Sequence, residues 1–150
     1  MHKEIERKYL VRSNAFESLA QSHIHIRQAY LCWDNITLRI RQWNDKYFLT
    51  VKGPSAGGLS RTEVEKPISG DEFEALLPLA RGHIIEKIRY LVPWNGLTIE
   101  VDRFISPRKG LVLAEIELPD EKTKPQLPPW LGEEVTGRPE YYNAYMAKNG

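Results

Sequence analysis

At 150 residues the chain is long enough to bury a sizeable core and short enough to be read as one domain, 1–150. With 21 Lys and Arg against 20 Asp and Glu, its charge balance gives no support to nucleic acid or an acidic membrane as partner, and a single cysteine, Cys32, excludes an internal disulfide and fits a reducing compartment. No apolar run approaches the ~20 residues of a membrane span, and the first residues lack a signal peptide's apolar stretch, so the expectation is a soluble cytoplasmic protein without a membrane partner.

Residues 1–11 alternate strictly. Ile5, Arg7 and Tyr9 fall on one side of an extended strand and Glu4, Glu6 and Lys8 on the other, because strand side chains repeat with period two. Two carboxylates on one face can share a hard cation, and the lysine beyond them can hold an anion that the cation has bound. Residues 13–20 read as a short helix opened by Ser13 or Asn14, with Phe16 and Leu19 turned inward. Residues 23–31 form a second strand. His23 and His25 stand two apart there, but without a third soft ligand they read as strand-edge residues rather than a metal pair.

A turn at 33–35 leads to a strand over 36–43, with Leu38 and Ile40 on one face and Arg39 and Arg41 on the other. A hairpin connection at 44–46 returns as a strand over 47–52, where Thr50 and Lys52 oppose Tyr47, Leu49 and Val51. The Gly-rich loop 53–58 lacks a phosphate-loop spacing and a following helix, so it has no phosphate-cradling role. Residues 59–66 align Arg61, Glu63 and Glu65 on one face, and Pro67 ends that strand. Residues 69–79 carry a helix start signal and place Phe73, Leu76 and Leu77 at helical spacing, as a cover over the sheet.

Residues 83–92 bring Lys87 and Arg89 together, opposite Ile88 and Tyr90. Asn95-Gly96 is a tight-hairpin signal leading to a strand over 97–104 that pairs Glu100 with Asp102. After a turn at Lys109-Gly110, residues 111–118 set Glu115 and Glu117 against Ala114, Ile116 and Leu118. Pro125, Pro128 and Pro129 mark 122–129 as a linker, 130–137 reads as irregular, and 139–148 as a terminal helix docked by Tyr141, Tyr145 and Met146.

The charged faces form doublets of one sign, strand by strand. The cations are Lys8, Arg39, Arg41, Lys52, Arg61, Lys87 and Arg89, and the anions are Glu4, Glu6, Glu63, Glu65, Glu100, Asp102, Glu115 and Glu117. An ordinary solvated sheet face mixes charges with Ser, Thr and Gln and avoids opposed like charges. If this sheet curls into a barrel, the charged faces line a wet tunnel. Each imperfectly paired buried charge costs several kcal/mol, so such a lining needs a ligand to complete it. Arg and Lys suit phosphate oxygens, and carboxylate pairs suit Mg²⁺ or Mn²⁺. Together they describe a site for a metal-bound polyphosphate.

The residues Glu4-Ile5-Glu6-Arg7-Lys8 resemble the Glu-x-Glu-x-Lys signature of the CYTH domain, or triphosphate tunnel metalloenzyme, family. The resemblance continues through Arg39-Ile40-Arg41, Thr50-Val51-Lys52, Arg61-Thr62-Glu63-Val64-Glu65, Glu86-Lys87-Ile88-Arg89, Glu100-Val101-Asp102 and Glu115-Ile116-Glu117, and residues 132–143 are similar to the end of the short bacterial members. Those members carry an acid where this chain has Arg138 and a Ser where it has Tyr142. The resemblance implies an α+β fold, mainly antiparallel: an eight-stranded closed β-barrel with a few flanking helices. It implies a metal-dependent triphosphatase that hydrolyses inorganic triphosphate, with a class IV-type adenylate cyclase, a thiamine or nucleoside triphosphatase and a non-catalytic polyphosphate-binding module as alternatives. Within it, Glu4, Glu6 and Glu117 are expected to hold one Mg²⁺ or Mn²⁺ ion with Glu115 close by, and Glu63 and Glu65 a second, with Glu100 and Asp102 as further ligands. Arg39, Arg41, Lys52, Arg61, Lys87 and Arg89 are expected to grip a small-molecule triphosphate, with Lys8 nearest the scissile end. Lys8, Glu4, Glu6 and Arg41 form the expected catalytic set, in a monomer or homodimer.

Overall fold

The alternating segments are strands. β1 (Ile5–Val11), β2 (Ser22–Trp33), β3 (Thr37–Trp43), β4 (Lys46–Lys52), β5 (Glu63–Ile68), β6 (Arg81–Trp94), β7 (Leu97–Ser106), β8 (Val112–Leu118) and β9 (Leu131–Glu134) alternate with α1 (Phe16–Leu19), α2 (Gly70–Leu76) and α3 (Asn143–Asn149). The computed structural model describes residues 5–54, 62–120 and 122–150. The strands make one nine-stranded sheet in the order β5-β4-β3-β2-β6-β7-β8-β1-β9, and every neighbouring pair is antiparallel. Among the described residues, no helix is long and apolar enough to cross a membrane.

Three expectations about the sheet need adjusting. The ninth strand comes from the stretch read as irregular. It adds to the edge of β1, pairing Tyr9 with Glu134 and Val11 with Leu131 across a register shift. Gly132 permits this, since a Cβ there would stand 3.2 Å from the Leu10 carbonyl oxygen. The sheet is also not closed by hydrogen bonds: β5 and β9 are its two ends among the described residues. With β9 on the edge of β1, that edge is already occupied. Pro67, expected to end its strand, lies inside β5 opposite Phe48. An end strand tolerates it, because the missing N–H can face away from the ladder.

Three apolar clusters hold the sheet. One joins Tyr9, Val92, Ile99, Val101, Ala114, Ile116 and Leu118 with Phe16 of α1 and with Trp130 and Leu131. A second sets Ala29 and Ile40 against Phe73 of α2, with Leu76 and Leu77 at its margin, so α2 covers the sheet as expected. Its capping box is complete: Ser69 Oγ accepts from the Glu72 amide and the Glu72 carboxylate from the Ser69 amide. The third joins Tyr30, Ile85, Phe104 and Leu113 to Met146 and Ala147 of α3. Those four strand residues lie on the charged side of the sheet, because Tyr30 is paired with Arg39, Phe104 with Lys87 and Leu113 with Asp102. α3 therefore packs on the concave, charged face, at one end of it.

The helices differ in detail from the reading of their sequences. α1 is four residues long, starts after Ala15 without a side-chain cap, and leaves Leu19 half exposed while Phe16 is fully buried. Pro78 turns the end of the 69–79 helix into a 3-10 turn, Leu77–Leu79. In α3 the buried stripe is Met146 and Ala147, with Tyr145 exposed.

Candidate active site

Residues paired across antiparallel strands point the same way, so the register assigns the faces. Glu6 faces Glu117, Lys8 faces Glu115, and Glu115 in turn faces Glu100. Arg89 faces Asp102, Thr50 lies between Arg39 and Glu65, and Lys52 faces Glu63. One face of the sheet thus carries all the described charged doublets. The sheet is also curled around them. β1 and β6 are separated by two strands, yet the segment 141–143 touches lysines of both.

The acidic part lies on β1, β7 and β8. Burial, and the carboxylates of Glu115 and Glu100, push the Glu6 carboxyl above its ordinary value, against the pull of Lys8 and Arg89. Burial also raises Glu100, with Asp102 and Glu115 adding to the effect and Arg89 opposing it. Opposed carboxylates of this kind destabilise a sheet unless a cation joins them. Their chemistry, several oxygens and no sulfur or imidazole, suits a hard divalent cation. The described residues alone do not complete such a site, for no three His, Cys, Asp or Glu side chains among them are gathered into a ready cage. Glu4, expected as a ligand, lies outside the described residues, as does Arg61 of the expected phosphate grip. Glu63 and Glu65 are exposed on the end strand β5, opposite Lys52 and Thr50.

Asp102 takes a different place from the one its sequence suggests. It is buried, and both oxygens are engaged: Arg89 donates to them from Nε at 2.8 Å and Nη2 at 3.0 Å, and Lys87 Nζ stands 2.8 Å away. Burial alone would raise this carboxyl, but Lys87 and Arg89 hold it down at about 2. Burial pulls the Lys87 ammonium down, with Asp102 opposing. Arg89 loses to burial as well, yet Asp102, then Glu100 at 2.7 Å and Glu115, carry it above its ordinary range. Asp102 is an organiser of cations here, and Glu100 is tied to the same guanidinium.

Arg39 and Arg41 each bring a partly buried guanidinium group to the charged face. The Nε of each is buried without a hydrogen-bond partner among the described residues. Burial and the neighbouring Arg39 lower the Arg41 pKa. Trp43, two residues further along the same face, lies under both Arg41, at 5.4 Å, and Arg89, at 5.6 Å. Its parity with Arg39 and Arg41 in the sequence was the available signal for it.

Lys8 is buried. Its Nζ is 3.2 Å from Glu115, donates to the Tyr141 carbonyl at 2.9 Å, and lies 4.4 Å from the centre of the Tyr142 ring. Lys87 Nζ also meets Asn143 Oδ1 at 3.1 Å. Residues 141–143 are thus part of the site's wall. Sequence reasoning missed them because backbone carbonyls carry no motif and α3 reads as an ordinary docked helix. The two histidines weighed as a metal pair are elsewhere, on the outer face: His25 Nε2 meets Glu86 at 2.6 Å, and His23 packs against Tyr90.

The CYTH domain model matches residues 2–143. An inorganic triphosphatase of Acetivibrio thermocellus is 46% identical over 151 residues, covering 99% of this chain and 96% of that protein. An inorganic triphosphatase of Nitrosomonas europaea is 41% identical over 150 residues, covering 96% of each. The crystal structure of an inorganic triphosphatase superposes with a TM-score of 0.77 at 36% identity, over 98% of this chain and 95% of that one.

Proposed function

The chain belongs to the CYTH domain family, and from that premise we propose that it hydrolyses inorganic triphosphate to pyrophosphate and phosphate on the charged concave face of its sheet. It is a phosphoanhydride hydrolase that requires a divalent cation, for which Mg²⁺ and Mn²⁺ fit the oxygen-only donor set. The observation that carries the reading is the pair of buried guanidinium nitrogens, Nε of Arg39 and of Arg41, that have no hydrogen-bond partner among the described residues. A buried donor left unsatisfied costs about 1–3 kcal/mol, and a phosphate oxygen satisfies it. Lys87 and Arg89, both paired with Asp102, extend the same surface towards the carboxylates.

We assign Glu4, Glu6 and Glu117 to the cation, with Glu115 beside them and Glu63 and Glu65 as a second carboxylate pair. When bound, the cation would neutralise phosphate charge and lower the pKa of an attacking water. The chain's own contribution is positional and electrostatic. Arg39, Arg41, Lys52, Arg61, Lys87 and Arg89 hold non-bridging oxygens, and Lys8, fixed between Glu115 and the Tyr141 carbonyl, stabilises charge that develops at the scissile phosphoryl group. Such preorganised charge is the main catalytic term available to a phosphoryl-transfer site.

The test is phosphate release from tripolyphosphate during a Mg²⁺ or Mn²⁺ titration of the wild type and of Glu6→Gln. The expected result is hydrolysis that needs the cation, with Glu6→Gln requiring far more of it. Equal metal dependence of the two proteins would remove Glu6 from the cation site.

A further inference from the structure

Five polar or charged side chains among the described residues are buried: Lys8, Gln28, Thr50, Lys87 and Asp102. Lys8, Lys87 and Asp102 are held in ion pairs, and Gln28 donates to the Tyr30 hydroxyl at 3.5 Å. Thr50 differs. It is 1% exposed, and its Oγ1 has no hydrogen-bond partner among the described residues. A buried hydroxyl without a partner is costly, and a strand threonine needs none of that cost, since valine has the same shape and a similar strand preference.

The surroundings say what the hydroxyl is for. Thr50 is centred in β4 with Arg39 opposite on β3 and Glu65 opposite on β5, and shares their face of the sheet. Arg39 only donates hydrogen bonds, and its Nε is likewise buried and unpartnered. Glu65 could accept, but it is exposed on the end strand and makes no bond to Thr50. A hydroxyl able to donate stands beside a buried Nε that can only donate, and a group rich in acceptors satisfies both. We propose that Thr50 Oγ1 donates a hydrogen bond to a non-bridging phosphate oxygen of the bound triphosphate, next to Arg39, and is a substrate-binding residue of this site. The inference rests on the triphosphate reading above and adds to the grip a neutral donor, which ties an oxygen by direction rather than by charge.

The experiment compares wild type, Thr50→Val, Thr50→Ala and Thr50→Ser by thermal shift and calorimetry with phosphate, pyrophosphate and tripolyphosphate in EDTA, and by steady-state kinetics with Mg²⁺. Without ligand, Thr50→Val melts at or above the wild-type temperature, because it removes an unpartnered hydroxyl and keeps the shape. With tripolyphosphate, Thr50→Val binds roughly 10- to 100-fold more weakly, the range of one hydrogen bond to a charged group, and its KM rises accordingly. Thr50→Ala follows Thr50→Val, while Thr50→Ser stays near wild type. The proposal is overturned if none of the three anions distinguishes the hydroxyl-free variants from wild type, or if Thr50→Ser loses as much affinity as Thr50→Val. Wild type that binds tripolyphosphate without cleaving it would sink the hydrolase reading and leave the Thr50 comparison intact.

Discussion

Asp102 is the acceptor that the neighbouring Lys87 and Arg89 share. Removing one partner of a buried ion pair leaves an uncompensated charge, at a cost of about 3–5 kcal/mol. Asp102→Asn is therefore expected to lower unfolding stability by about that amount in urea; a loss under ~1 kcal/mol would contradict the assignment. The pH dependence has a defined sign. The folded-state pKa of about 2 lies below the ordinary 3.8, so the stabilisation is complete above 3.8 and is lost as pH falls towards 2. Glu6 and Glu100 act in the opposite sense. Their pKa values are raised, so their ionisation weakens the fold as pH rises past the ordinary carboxylate range, and a cation relieves it. Mg²⁺ should accordingly raise the melting temperature more at pH 8 than at pH 4.5, and an equal shift would argue against cation binding at Glu6. For Arg41, whose buried Nε has no hydrogen-bond partner among the described residues, replacement by Ala should lower kcat/KM by at least ~10²-fold, the usual loss for one positioned donor.

The strands are legible because the period-two pattern is nearly unbroken. Glu6, Lys8, Arg39, Arg41, Lys87, Arg89, Glu100 and Glu115 do share one face of the sheet, as alternation alone requires. The terminal elements were not legible in the same way. β9 is four residues long with a glycine, too short to show a period. α3 reads as a surface helix because its buried stripe is narrow, and nothing local reveals that Tyr30, Ile85, Phe104 and Leu113 leave an apolar end on the charged face to receive it. The consequence is testable. Met146 is fully buried there, so Met146→Ala should cost about 2–5 kcal/mol. Activity should fall with it, since α3 carries the segment that holds Lys8 and Lys87. A stable Met146→Ala variant with full activity would detach α3 from the site. For α2, on the other side of the sheet, Ser69→Ala should cost only about 0.5–2 kcal/mol through loss of its cap, as read from thermal unfolding.

A formal charge of +1 conceals a segregated molecule. Carboxylates of β1, β7 and β8 gather on one part of the concave face and guanidinium groups of β3 on another, with the Lys87–Asp102–Arg89 network between. That distribution, rather than the net charge, is what a metal-bound phosphate chain would read. It needs nothing from an organic group: among the described residues, Trp43 beside the arginines is already engaged by two guanidinium groups, and Tyr30, opposite Arg39, is packed against α3. A nucleotide would have to displace those contacts to stack its base. The most direct test is thus a side-by-side measurement of kcat/KM for tripolyphosphate and ATP, each with Mg²⁺ or Mn²⁺, with products resolved. The expected result is that tripolyphosphate is cleaved to pyrophosphate and phosphate at least ~10-fold more efficiently than ATP, a difference of about 1.4 kcal/mol in transition-state stabilisation. Cyclic AMP as the main product from ATP, or tripolyphosphate left intact, would contradict the account.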